Sequence, residues 1–214
     1  NVQFSPPVEY FQHIFCDYMK RIGANIHVEI LRHGFYPKGG GSIKVKVLPS
    51  ELRPIKIIER GKFEKVDIWS IATSDLRKAK VAERQVSGFK ADFPDIKYDK
   101  IHEIYVESKS TGSSIHAHIH FENCKLGTEA LGEQRKSAEK VGKECAEKLK
   151  KELNSDSTVD THMLDQIIPY LGLLGGLLKF KELNSHAKTN IWVCEKFLPV
   201  KFSIEGNVIS CIKL

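Results

Sequence analysis

The chain has 214 residues, 41% hydrophobic and 28% charged, which is enough to bury a sizeable core as one large domain or two small ones and excludes a disordered chain. Its formal charge of +6 is compatible with a polyanionic partner but does not require one, because lysines and glutamates are interleaved. The longest apolar run, residues 167–178, contains Pro169 and several glycines and falls short of the roughly 20 residues a membrane span needs.

Apolar residues Val8, Phe11, Ile14, Phe15, Tyr18, Met19 and Ile22 recur at helical spacing, with Ser5 as N-cap, Pro6 in the first turn and Gly23 past the end, and predict a helix over 6–22. Strands are expected at 25–32, at 42–48, where Ile43, Val45 and Val47 alternate with lysines, and at 53–59. From Lys62 the pattern restarts with a strand near 63–72, a helix near 75–90, strands near 101–107 and 114–122, and a charged helix over 134–153 that reads as a solvated, salt-bridge-laced face. In the 114–122 strand His116, His118 and His120 share one face. The outer two stand roughly 13 Å apart at strand rise, too far for one tetrahedral zinc, so a polar sheet face is the expected reading.

After the polar break at 154–157 come a helix at 159–174, a strand at 177–183, a helix at 187–197, and strands at 200–205 and 207–213. Starting from the 53–59 strand, this order reads β-[insert]-α-β-α-β-β, and residues 6–48 supply the α-β-β tail of a similar preceding unit. The expected domains are therefore 1–61 with 158–214, and an inserted unit, 62–157, with its own periodic apolar set. Cys16, Cys124, Cys145, Cys194 and Cys211 lack any CxxC spacing and read as small buried hydrophobes in a reducing compartment.

Three stretches carry chemistry. Arg32-His33-Gly34-Phe35-Tyr36-Pro37-Lys38-Gly39-Gly40-Gly41 offers a guanidinium, an ammonium and backbone N–H groups to phosphate, although a tight strand-to-strand turn needs the same residues. It is not a Walker A loop, because no Gly-Lys-Ser/Thr opens a helix. His162-Met163-Leu164-Asp165-Gln166 places a carboxylate and an amide beside an apolar helix stripe, where each needs a partner. Asn184-Ser185-His186-Ala187-Lys188-Thr189-Asn190 sets His186 at a helix mouth, beside N–H groups that favour anions.

In this order, and over nearly the whole chain, these stretches resemble the RNA 3′-terminal phosphate cyclase family. The resemblance implies an α/β (α+β) fold: repeated βαβαββ units like the C-terminal domain of a bacterial translation initiation factor, with a smaller inserted α/β domain. It implies ATP-dependent conversion of an RNA 3′-phosphate to a 2′,3′-cyclic phosphate, with His186 as the nucleophile that becomes adenylated. Asp165 and Gln166 are then expected to contact the nucleotide or the surroundings of the nucleophile. His162 stands where members often place an aromatic ring against the adenine, and an imidazole can still stack there. Pro7 and Tyr10 occupy positions that bracket the nucleotide in the family; a helix-start proline and a partly buried aromatic explain them equally well.

A divalent cation, Mg or Mn, is expected to be held mainly outside these residues, with no metal ligands implied within them. Full-length members carry a sizeable N-terminal part before the matched segment. The chain, which opens at Asn1, is thus expected to be a C-terminal portion with that part as its partner, nearly inactive alone. The remaining expectations are an RNA 3′-phosphate end as partner, no membrane, and a cytoplasmic location. The alternatives are a non-catalytic cyclase-like ribosome-biogenesis protein, which would lack the nucleophilic histidine, and a nucleotide- or RNA-binding fragment.

Overall fold

A computed structural model describes residues 1–3 and 5–214. The first helical run starts two residues later than expected, because Pro7 remains extended and serves as its N-cap. It consists of α1 (Val8–Tyr10), a π-type turn (Phe11–Phe15) and α2 (Cys16–Arg21), and it buries Tyr10, Ile14, Tyr18 and Met19. The chain then enters an antiparallel hairpin of β1 (Asn25–Arg32) and β2 (Ser42–Leu48).

The βαβαββ unit expected from element order forms as a mixed sheet. β3 (Ile55–Ile57) runs parallel to β8 (Gly176–Lys179), and β10 (Val208–Lys213) pairs antiparallel with both β8 and β9 (Val200–Glu205), giving the order β3-β8-β10-β9. Both β3 and β8 are shorter than the runs expected at 53–59 and 177–183. α5 (Thr161–Leu174) joins β3's side of the unit to β8, and α6 (Ser185–Phe197) joins β8 to β9; the two helices pack on each other.

Residues 63–131 form a second four-stranded sheet, β5-β4-β6-β7, from β4 (Phe63–Thr73), β5 (Tyr98–Val106), β6 (Ser113–Phe121) and β7 (Lys125–Leu131). β7 has no counterpart in the sequence reading, because Glu122-Asn123-Cys124 makes a tight reversal and Lys125–Leu131 lacks a clean alternation of apolar and polar residues. The helix expected at 75–90 is split. A 3₁₀ segment, Ser74–Ala79, ends at Lys80 in the left-handed region, and α3 (Val81–Asp92) follows.

α3 and α4 (Ala138–Leu153) cover one face of this sheet. Ala138, Val141, Cys145, Ala146 and Leu149 form the buried stripe of α4, and its outer face carries the expected ion pairs, including Arg84–Glu139 at 2.6 Å and Lys148–Glu144 at 3.5 Å.

The opposite face is polar, as expected, but it is closed to solvent. His116 and His118 are 1% exposed, and the face they share is covered by the α1–α2 run instead of by solvent. The cause is Gly127 on β7. A Cβ there would stand 2.8 Å from the Tyr10 ring, so the missing side chain lets the helix lie directly on the sheet. Carboxylates that sequence distance had hidden also converge there: Glu9 lies 3.4 Å from His116 Nε2 and Asp67 lies 2.9 Å from His120 Nε2. Among the described residues no group of three or more His, Cys, Asp or Glu side chains is arranged to hold a metal. Four of the cysteines are buried, Cys16 is half-buried, and all five are unpaired.

Candidate functional site: the junction of α1, α5 and α6

The site is organised around the start of α5. Asp160 is its N-cap: Oδ1 accepts from the His162 and Met163 amides at 3.0 and 2.9 Å, satisfying two donors that the first helical turn leaves free. The same carboxylate accepts from Tyr10 Oη at 2.6 Å and, through Oδ2, from the Gly127 amide at 2.8 Å. One fully buried side chain thus ties the first helix, the second sheet and the helix bearing Asp165 and Gln166. Burial raises the Asp160 carboxyl pKa, and these hydrogen bonds pull it back toward the charged form. Tyr18 adds a parallel tie, donating to the carbonyls of Thr158 and Lys125.

Pro7, Tyr10 and Gln166 line one open, mainly apolar groove of roughly 610 Å³, together with Phe11, Phe15 and Tyr170. Tyr10 is only 2% exposed and its hydroxyl is already used by Asp160, so what it offers the groove is a ring surface. His162 faces a neighbouring cavity of about 570 Å³, lined also by Thr128, Glu129, Lys148 and Lys181. Its ring stands edge-on to Tyr10, with centroids 5.8 Å apart, and its Nε2 lies 3.2 Å from Glu129 Oε1. Glu129 raises the His162 pKa more than burial lowers it.

His186 is solvent-exposed in the first turn of α6, where Asn184 caps the helix by accepting from the Ala187 amide at 2.7 Å. It lines neither cavity. Two asparagines hold α6 against α5: Asn184 Nδ2 donates to Thr161 O at 3.2 Å and Asn190 Nδ2 donates to Asp165 O at 2.7 Å. Asp165 is half-buried; burial raises its pKa, and the nearby His162 and His186 both oppose that rise.

The glycine-rich stretch is the loop joining β1 to β2. Gly39 and Gly40 take φ of 57° and 79°, backbone that side-chain-bearing residues rarely adopt, and Arg32 Nε donates to Gly40 O at 2.6 Å. The Arg32 guanidinium therefore braces its own turn. Pro7, Tyr10, His162, Asp165, Gln166 and His186 are thus gathered on three adjoining helices, while Arg32 and Lys38 lie on the hairpin.

Asp160 and Glu129 were missed in the sequence. Asp160 carried a usable signal, an Asp directly before the α5 periodicity. Glu129 carried none, because β7 itself went unrecognised.

The sequence model of RNA 3′-terminal phosphate cyclase matches residues 1–204. The chain belongs to this family. A cyclase of that name from Thermococcus onnurineus is 36% identical over 217 residues, an alignment covering 97% of this chain and 62% of the relative. One from Methanosarcina barkeri is 37% identical over 207 residues, covering 96% and 60%, and one from Halobacterium salinarum is 32% identical over 213, covering 98% and 61%. The chain therefore spans about three-fifths of the length of the cyclases it matches. The α/β architecture fits the family. No helix among the described residues is long and apolar enough to cross a membrane.

Proposed function

We propose that the chain is the C-terminal portion of an ATP-dependent RNA 3′-terminal phosphate cyclase and carries its nucleophile and part of its nucleotide pocket. The observation that carries this reading is His186, exposed in the first turn of α6, on a helix fixed through Asn190 to the backbone of Asp165. A neutral imidazole nitrogen is a competent nucleophile near neutral pH. Its lone pair attacks the α-phosphorus of ATP, a P–N bond forms, the bond from the α-phosphorus to the bridging oxygen breaks, and pyrophosphate leaves.

An oxygen of the RNA 3′-phosphate then displaces the imidazole, giving an RNA-phosphate-AMP anhydride. The adjacent 2′-hydroxyl attacks that 3′-phosphorus, loses its proton to solvent and expels AMP, with the proximity advantage of an intramolecular reaction.

The groove beside Pro7, Tyr10 and Gln166 fits a planar base in size and in its apolar lining, and Gln166 adds an amide for base edges. His162, on the same helix, presents its ring to the neighbouring cavity and meets Tyr10 edge-on. The Asp165 carboxylate is close enough to His186 for the two to interact electrostatically. A divalent cation, Mg or Mn, belongs to this reading as a group held mainly outside these residues. The relatives are longer than the matched segment; in this reading their additional part is N-terminal and is the source of the remaining phosphate contacts, and a cytoplasmic location remains part of the proposal.

The test is incubation of the chain, with and without the N-terminal part of a full-length relative, with labelled ATP and a divalent cation. A protein–AMP adduct that is acid-labile, alkali-stable and absent in His186→Ala supports the reading. Adduct retained in the alanine variant assigns the nucleophile elsewhere. No adduct under either condition favours the non-catalytic or binding-only alternatives.

A further inference from the structure

We propose that Glu129, contributed by β7 of the second sheet, is a positioning residue for nucleotide binding: it holds the imidazole of His162 at the cavity mouth, in the orientation that meets the nucleotide. The inference rests on the nucleotide-pocket reading above, and it assigns a role to a residue from a different sheet.

The geometry is specific. Glu129 Oε1 lies 3.2 Å from His162 Nε2, and the ring's edge-on contact with Tyr10 fixes its second axis. Side-chain exposure is 14% for Glu129 and 37% for His162, so the carboxylate is sheltered while the imidazole reaches solvent. Glu129 is itself held: Lys148 Nζ donates to its backbone carbonyl at 2.8 Å and stands 3.9 Å from Oε1. Its other oxygen, Oε2, is buried without a hydrogen-bond partner, so Oε1 carries the recognised polar contact.

With Nε2–H directed at Glu129, the ring presents its remaining edge and its face to the cavity. The charged groups around it are Glu129 on β7, Lys148 on α4, and Asp160 and Asp165 on α5. Tyr10 on α1 and His116 on β6 stand behind the pair, and the cavity wall adds Glu133, Glu144, Lys151, Glu152, Lys181 and Glu182. The Glu129 contact is the largest influence on the ring and favours its protonated form over the neutral one. A cationic ring attracts the electron-rich face of a purine and the nucleotide phosphates together.

The experiment uses the 214-residue chain, wild type and Glu129→Gln, with AMP as the probe. His162 is followed by NMR titration of its ring, assigned through His162→Gln, and AMP affinity is measured by calorimetry from pH 5.5 to 8.5. The expected results are a fall of about one pH unit in the His162 midpoint in E129Q and an AMP Kd raised about three- to tenfold near neutral pH. The pH profile of binding should move down with the midpoint.

An unchanged His162 midpoint in E129Q overturns the positioning role whether or not AMP binds. A lowered midpoint with an unchanged AMP profile, or AMP affinity unaffected in His162→Gln, shows that the pair serves packing alone. No AMP binding by the wild-type chain, with the midpoint still shifted, overturns the nucleotide-pocket reading and this inference with it, while leaving the Glu129–His162 pair intact. Denaturation midpoints measured on both variants separate these outcomes from simple unfolding.

Discussion

Removing the Asp160 carboxylate should unfasten the site and the fold together, by an amount that can be worked from its partners. In Asp160→Ala, α5 loses its N-cap, which costs about 1 kcal/mol. Tyr10 Oη and the Gly127 amide lose their acceptor in a buried place, at about 1–3 kcal/mol each. Part of this is returned, because a fully buried carboxylate pays desolvation, visible in its raised pKa. A net loss of about 3 kcal/mol is expected, a large share of the roughly 5–15 kcal/mol that holds a domain folded.

Asp160→Asn should cost less, about 1–2 kcal/mol. Its Oδ1 still accepts from Tyr10 and the two helix amides, and only the Gly127 amide then faces a donor. Urea denaturation followed by circular dichroism gives both values, and amide exchange at Gly127 reports the lost bond locally. An alanine variant within about 0.5 kcal/mol of wild type, or an asparagine variant worse than alanine, would refute the central role given to Asp160.

Stability should fall on acidification from pH 7 to pH 5. Burial depresses His116 and His118 below the usual histidine range and brings His13 to about 4, so between that value and about 6.5 the unfolded chain binds more protons than the folded one. A group with a depressed folded pKa contributes stability above its unfolded pKa and loses it as pH falls. His162, raised by Glu129, works in the opposite direction but is outnumbered. His118→Phe should flatten the pH dependence of the urea midpoint, and an unchanged slope would remove His118 as a cause. The proposed division at 62–157 is tested by expressing that segment alone. Its sheet, backed by α3 and α4, is expected to unfold cooperatively, with His116 and His118 now titrating near 6.5. A segment without a cooperative transition would overturn the division.

Local physics determined a good deal from sequence alone. The order β3-α5-β8-α6-β9-β10 was legible because apolar periodicity marks the elements and the polar break at 154–157 sets this unit apart, whereas the caps Asp160, Asn184 and Ser137 emerge with the structure. The resemblance that named the family rests on contiguous motifs, and contiguous motifs survive without coordinates. What only the tertiary structure decided are relations between residues far apart in the chain. The burial of His116 and His118 depends on Gly127 admitting the first helix onto the sheet, a steric fact with no local signature. Glu129 and His162 lie 33 positions apart, and Tyr10 and Asp160 lie 150 apart. A charge paired at that separation reads in sequence like any solvated side chain, because what it gains comes from packing that brings distant segments into contact and excludes water between them.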